Sequence, residues 1–69
     1  MTFIEPNRRA ALVVGIGAPW RATVAECLHR WTHLDPVAKA GSFLVVEGDE
    51  PGARRTLNAR RIAELAAAA

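Results

Sequence analysis

The alternation of apolar and polar positions divides the chain into short elements of two kinds. Residues 11–16 are apolar, are rich in β-branched side chains and run into Gly17, which predicts a first strand. A helix that starts at Asn7 is the competing interpretation for residues 8–14. After Pro19, which suits the first turn of a helix, apolar residues recur at helical spacing and predict one long amphipathic helix. The apolar stripe consists of Trp20, Val24, Cys27, Leu28, Trp31 and Leu34.

The second half of the chain is divided by residues that favour turns and helix caps. Asp35 and Pro36 predict the start of a short helical turn, and Asn58 predicts the N-cap of a last helix. The β-prone residues Thr2–Ile4 indicate a possible additional strand. The predicted elements are a helical turn at 37–40, a second strand at 42–47, a turn at 50–53, a third strand at 54–57 and a helix at 59–68.

This element order predicts a small two-layer α/β (α+β) domain with about three strands in β-α-β-β-α order, one long amphipathic helix and a C-terminal helix. The long helix would connect the first two strands as a right-handed crossover, so these strands would be parallel. The apolar second strand would be central, and the first strand would lie at one edge. The third strand, with Arg54 and Arg55, would lie at the other edge. We expect residues 1–69 to form one domain, in which only the alanine-rich residues 66–69 fray.

Size and composition limit the functional classes. A chain of 69 residues has a small core, and oligomerisation often supplies the missing stability. Cys27 is the single cysteine, so a disulfide within the chain and a multi-cysteine zinc site are excluded. The longest uncharged apolar run, residues 10–20, is too short to cross a bilayer. We therefore expect a cytoplasmic protein without membrane contact. The net charge of +2, with arginine in excess of lysine, is a composition of bacterial type and weak support for a polyanion partner.

A glycine-containing turn follows the first predicted strand. Gly15, Gly17 and Ala18 would lie between that strand and the N-terminus of the long helix, where free amides and the helix dipole favour a phosphate. Glu47 ends the second strand, where dinucleotide-binding folds place a ribose-binding acid. However, Trp20 occupies the position of the third glycine in that fingerprint. A tight turn without a ligand is therefore the alternative to a phosphate or small-ligand site.

Two groups on the long helix have the residue types for metal binding or nucleophilic chemistry. Glu26, His29 and His33 recur at spacings that place them on one helix face. No fourth ligand is evident, so a solvated face with a Glu26–Arg30 ion pair is the favoured interpretation. Cys27 falls on the apolar stripe, where a thiol behaves as a buried hydrophobe. We therefore expect no metal, no cofactor and no catalytic residues.

Two arginine pairs flank the junction of the third strand and the last helix. Arginine forks bind phosphates well, so Arg54, Arg55, Arg60 and Arg61 form a candidate nucleic-acid-binding surface. Arg60 and Arg61 also lie at a predicted helix N-terminus, where the dipole disfavours cations. The alternative is that Arg54 and Arg55 pair across the hairpin with the acidic residues of segment 47–50.

The apolar edge expected for the first strand indicates self-association. Such an edge pairs readily with another chain, and Leu12, Val14 and Ile16 would form the interface. The first hypothesis is thus a small non-enzymatic interaction or regulatory protein that forms a homodimer. Nucleic-acid binding by the arginine surface is the alternative, and ligand binding at the glycine turn is the third hypothesis.

Overall fold

The structure is a computed structural model that describes residues 5–48 and 52–68, and within these ranges the chain forms four strands and three helices. The elements are β1 (Arg9–Val14), β2 (Trp20–Thr23), α1 (Val24–Thr32), α2 (Pro36–Ala40), β3 (Ser42–Glu47), β4 (Arg54–Asn58) and α3 (Ala59–Ala68). The α+β class is confirmed, with β2 as a strand that was not predicted. The possible strand at Thr2–Ile4 and the first two residues of the predicted turn at 50–53 lie outside the described residues.

The strands form one antiparallel sheet in the order β2-β1-β3-β4. Leu12 of β1 faces Leu44 of β3 at the centre of the sheet. The predicted parallel pairing of β1 with β3 is wrong, because β2 reverses the chain before α1 begins. The edge position predicted for β1 is wrong for the same reason, since β2 covers that edge. The central position of β3 and the edge position of Arg54 and Arg55 on β4 are confirmed.

The chain order consists of two successive ββα units, although the sequence shows no repeat. The first unit is β1-β2-α1, and the second is β3-β4-α3, with α2 between them. The inner strands β1 and β3 lie side by side, and the outer strands β2 and β4 form the two sheet edges. Each unit therefore contributes one hairpin to the sheet and one helix to the layer that covers it.

The helix α1 begins four residues later than predicted, because Thr23 is its N-cap. The Thr23 hydroxyl accepts a hydrogen bond from the Glu26 backbone N–H at 3.2 Å, and Glu26 Oε1 accepts one from the Thr23 backbone N–H at 3.1 Å. This reciprocal capping box satisfies two amides that a helix start leaves open. Trp20 therefore belongs to β2, from which its half-buried side chain packs against the core.

The helices α1 and α3 pack on the same side of the sheet and on each other. The buried apolar residues between the layers are Ala10, Leu12, Ala22, Val24, Cys27, Leu28, Trp31, Leu44, Val46, Leu57 and Ile62. The predicted burial of the α1 stripe from Val24 to Trp31 is confirmed. Its one polar atom is satisfied, because Trp31 Nε1 donates to Ser42 Oγ at 2.8 Å and Ser42 Oγ donates to the Lys39 carbonyl at 2.6 Å.

The other two helices begin at the predicted caps. Asp35 Oδ1 accepts the Ala38 backbone N–H at 2.8 Å to cap α2. Asn58 Oδ1 accepts the Arg61 backbone N–H at 3.0 Å to cap α3. The α3 helix buries Ile62 and continues to Ala68. Fraying of residues 66–69 in solution stays a prediction, and Ala69 lies outside the described residues.

Candidate functional site

The helices α1 and α3 cover one side of the sheet. No described residue packs over the opposite side, which we call the open face. Side chains alternate between the two sides along each strand, so the register identifies the residues of the open face. All of them are exposed or half-buried. They are Arg9, Ala11 and Val13 of β1, Arg21 and Thr23 of β2, Phe43, Val45 and Glu47 of β3, and Arg54, Thr56 and Asn58 of β4.

The open face has a basic end. Glu47 faces Arg54 in the register of β3 and β4, and the register of β1 and β3 continues to bring Arg9 to the other side of Glu47. Arg21 lies on β2 opposite Ala11. These charged side chains line a hollow of about 170 Å³. Four strands therefore bring three guanidinium groups and one carboxylate to one place.

Two of these arginines are available for an external partner. Arg21 and Arg54 make no hydrogen bond or ion pair with another described residue. Glu47 carries one negative charge between arginines on the two neighbouring strands. Among the described residues, three arginines against one glutamate leave this end of the open face with a net positive charge. A positive surface with free guanidinium forks is suited to phosphate groups.

The other end of the open face is apolar. Phe43 is 47% exposed, which is unusual for a phenylalanine in an interior strand. It faces Val13 on one side and Asn58 on the other, and Val45 lies two residues along the same strand. The phenyl ring is therefore half-exposed beside two valines and an asparagine, on a part of the open face that no described residue covers.

A second groove runs along the free edge of β4, with a volume of about 390 Å³. We call it the β4-edge groove. Arg55 lies on the side of β4 that also carries Leu57, but unlike the buried Leu57 it is exposed. Arg61 reaches the groove from the first turn of α3. The lining residues are Phe43, Arg55, Thr56, Leu57, Asn58 and Arg61.

The structure separates the four arginines that the sequence grouped together. Arg54 lies on the open face, whereas Arg55 and Arg61 line the β4-edge groove. Arg60 is exposed on α3 and lines neither of these two surfaces. Arg54 is in register with Glu47 but forms no ion pair with it, and Arg55 faces the buried Val46. The other two acidic residues of the predicted pairing, Asp49 and Glu50, lie outside the described residues.

Arg9 and Arg21 were not predicted from the sequence as neighbours of Arg54. They come from β1 and β2, far from Arg54 along the chain, and only the antiparallel sheet brings them together. A partial signal was present, because Trp20-Arg21-Ala22-Thr23 alternates between apolar and polar residues as a half-buried strand does. Four residues are too few to distinguish that alternation from the first turn of a helix.

The glycine turn does not have the geometry that the phosphate hypothesis required. Residues 15–19 connect two strands, so no helix N-terminus follows Gly17 and Ala18. The Gly15 N–H donates to the Gly41 carbonyl at 3.1 Å, and the Gly17 N–H donates to the Val14 carbonyl at 3.2 Å. Gly15 has a φ of 60°, a conformation that glycine adopts without strain. These amides stabilise a tight turn, which was the alternative interpretation.

The predicted interface residues occupy three different environments. Leu12 is 2% exposed and belongs to the core, and the half-buried Val14 packs against that core. Both lie on a strand paired on both sides, so the expected free edge is absent from β1. Ile16 lies in the β1–β2 turn and is fully exposed. Of the three, only Ile16 offers a complete apolar side chain to a partner.

The polar face of α1 resembles a solvated surface. Glu26 is occupied by the capping box, and the hydrogen bonds from Thr23 hold the pKa of its carboxyl below the ordinary value. The expected Glu26–Arg30 ion pair is absent among the described residues, since Arg30 stacks on Trp20 with 4.7 Å to the ring centroid. The His29 and His33 rings are 4.7 Å apart. Within residues 5–48 and 52–68, no group of three metal-ligating side chains is present.

Cys27 lies on the buried side of α1, as its place in the apolar stripe predicted. Its side chain is fully buried between α1 and the sheet, and burial raises the pKa of its thiol. A buried thiol with a raised pKa is a poor nucleophile at neutral pH. Cys27 therefore contributes to packing.

The fold and the surface define a small α+β domain with one helix-covered and one open sheet face. Comparisons with protein-family models, with curated proteins and with solved structures found no match. Within the described residues, no helix is long and apolar enough to cross a membrane.

Proposed function

We propose that the protein is a non-enzymatic binding module whose open face binds single-stranded nucleic acid. The observation that carries the proposal is the convergence of Arg9, Arg21 and Arg54, from three strands, at one end of an uncovered sheet face whose other end carries the exposed Phe43. Neither charge nor aromatic exposure alone would support it. Together they match the two repeating parts of a nucleotide, its phosphate and its base.

The chemistry of the open face favours a single strand over a duplex. Bases in a single strand are unstacked and can lie on an aromatic ring, and each such stack contributes about 1–3 kcal/mol. Phe43 offers that ring, and Val13 and Val45 extend the apolar surface beneath a base. Duplex bases are reached by elements that enter a groove, whereas the open face is a sheet surface. The arginines at its basic end are placed to bind the adjoining phosphates.

A salt titration tests this proposal. Fluorescence anisotropy with labelled single-stranded RNA, single-stranded DNA and duplex DNA should show binding to the single strands that weakens as salt rises. Replacing Arg21 and Arg54 together by Ala removes two phosphate contacts. This should flatten the slope of log K against log salt by about 1.4, at about 0.7 for each single-strand contact.

Two further variants make the test specific. Phe43→Ala should weaken binding at all salt concentrations without changing the salt slope, because stacking releases no counterions. Arg30→Ala is the matched control, since Arg30 has the same charge but stacks on Trp20, away from the open face. Absence of binding to every single strand at low salt would contradict the proposal. Equal effects of the Arg30 variant and the open-face variants would also contradict it.

The proposal includes no catalytic step, cofactor or metal. Cys27, the single thiol of the chain, is buried with a raised pKa, and Glu26 is held in a capping box. These two groups therefore serve packing and helix initiation. A cytoplasmic location also belongs to the proposal, since it would give the open face access to nucleic acid.

Self-association is a second candidate, favoured by exposed apolar side chains at one end of the molecule. Ile16 is fully exposed and Val37 is 84% exposed. Their segments are joined by the hydrogen bond from the Gly15 N–H to the Gly41 carbonyl. We propose that this end, rather than the edge of β1, is the contact through which two copies form a homodimer.

Light scattering across a dilution series tests the homodimer. The wild-type chain should have twice the monomer mass at high concentration, and Ile16→Asp should shift it to monomer. Lys39→Ala provides a control on the same end, because it changes charge without removing exposed apolar surface. A constant monomer mass of the wild type at every concentration would contradict the homodimer.

A further inference from the structure

We infer that a bound single strand continues from Phe43 around the free edge of β4, and that Arg55 and Arg61 bind its next phosphate groups in the β4-edge groove. This inference rests on the proposed function, which it extends from one face of the sheet to the adjoining edge. It assigns the edge groove to a phosphodiester backbone and predicts a longer binding site than the open face alone provides.

Continuity of the surface is the first argument. Phe43 stands on the open face and also lines the β4-edge groove. Thr56 and Asn58 likewise belong to the open face and line the groove. The strand β4 is the last strand of the sheet, so no described strand pairs with its outer edge. A chain that leaves the phenyl ring therefore meets the groove without crossing a barrier.

The alternation of residues along β4 is the second argument. Arg54 and Arg55 are neighbours in sequence, so their side chains lie on opposite sides of the sheet. The strand β4 thus presents the Arg54 guanidinium group to the open face and the Arg55 guanidinium group to the β4-edge groove. A polyanion that wraps the edge of β4 contacts both, whereas a ligand confined to one face contacts only one.

The position of Arg61 is the third argument. Its backbone N–H is already bound by Asn58, and its guanidinium lies in the first turn of α3, where the helix dipole disfavours a cation. The Glu64 carboxylate lies 4.0 Å away, and both side chains are more than half exposed. Such an exposed pair is weak, so Arg61 can exchange Glu64 for a phosphate. An external anion would offset the unfavourable dipole interaction.

A series of labelled oligonucleotides from about 4 to about 16 nucleotides, the range of site sizes known for single-strand binders, tests the inference. The variant replaces Arg55 and Arg61 together by Ala. For long oligonucleotides the salt slope should flatten by about 1.4, the value for two single-strand contacts. For the shortest oligonucleotides, which occupy only the open face, affinity and slope should match the wild type.

Arg60→Ala is the matched control. Arg60 has the same charge, the same exposure class and the same helical turn as Arg61, but it does not line the groove. It should leave the salt slope unchanged at every length, and circular dichroism should show that all variants keep the fold. Phe43→Ala should weaken both short and long oligonucleotides, because the ring belongs to both surfaces.

The outcomes separate this inference from the proposed function. If the wild type binds single strands but the Arg55 and Arg61 variant binds every length as the wild type does, the inference fails and the open-face proposal stands. Equal losses in the Arg60 variant would overturn the inference too, because they would show a general charge effect. If the wild type binds no oligonucleotide at low salt, the proposed function fails and the inference fails with it.

Discussion

Phe43 and Leu44 are neighbours in one strand, yet they belong to the two different faces of the sheet. Leu44 is completely buried beneath the helices, whereas Phe43 is 47% exposed on the open face. Both are apolar, and the run Phe43-Leu44-Val45-Val46 has no polar residue to mark which side is inside. The comparison shows that the same residue class can stabilise the fold on one face and remain available to a partner on the other.

The two faces also treat polar groups differently. On the covered face, the Trp31 indole N–H and the Ser42 hydroxyl are buried and have hydrogen-bond partners, so they leave no unsatisfied group. On the open face, Arg21 and Arg54 have no such partner among the described residues. The polar groups of the covered face are thus satisfied within this chain, whereas these two arginines of the open face are not paired within the part of the chain that the structure describes.

The largest expected effect comes from substitution of the adjacent residues Leu44 and Phe43. Leu44→Ala should lower the free energy of unfolding by about 2–5 kcal/mol, because it leaves a cavity in the core. Phe43→Ala should cost about 1 kcal/mol or less, because much of its side chain is already in water. Urea denaturation measures both. A cost for Phe43→Ala as large as that for Leu44→Ala would mean that the open face is packed in solution.

Much of the covered face follows from local pattern. The stripe from Val24 to Trp31 has helical spacing, and Asp35 and Asn58 have the chemistry of N-caps. The strands β3 and β4 lie within one residue of their predicted bounds, since a turn with Gly52 at a φ of 83° separates them. These features depend on residues that are close together in the chain, so they can be predicted from the sequence.

The open face could not be predicted in the same way, because it depends on which strands are adjacent. The error began at Trp20, whose spacing to Val24 fits a helix stripe and whose preceding Pro19 suits a helix start. The overlooked signal was Thr23-Val24-Ala25-Glu26, a capping-box sequence that places the helix start at Val24. Because the helix begins at Val24, residues 20–23 are available to form β2. The strand β2 then pairs with β1, which becomes an interior strand, and places Arg21 on the open face.

A moderate effect is expected for the buried polar contact of the covered face. Ser42→Ala removes the acceptor of the Trp31 N–H and the donor to the Lys39 carbonyl. Leaving buried groups unpaired should cost about 1–3 kcal/mol. Thr56→Val on the open face removes a hydroxyl of similar size in an exposed position and should change stability by about 0.5 kcal/mol or less. Equal losses in thermal or urea denaturation would show that burial does not distinguish the two faces.

The smallest effect concerns Thr23, where the open face and the covered face meet. Thr23 belongs to β2 and caps α1, and its hydrogen bonds to Glu26 hold the pKa of that carboxyl below the ordinary value of 4.5, with a further contribution from Arg9. Because the folded-state pKa is lowered, the carboxylate stabilises the fold fully above the ordinary value. This stabilisation is lost as the pH falls through the lowered pKa.

Glu26→Gln isolates this contribution, because glutamine can still accept in a capping box but does not titrate. The wild type should be more stable than the variant at neutral pH, and the difference should shrink as the pH falls below about 4.5, the ordinary value for the group. Urea denaturation at several pH values measures it, with a repeat at high salt. The difference should persist in high salt, because the Thr23 hydrogen bonds are its main cause and short hydrogen bonds are screened less than the charge of Arg9. Parallel stability curves at every pH would show that the capping box does not couple the titration of Glu26 to folding.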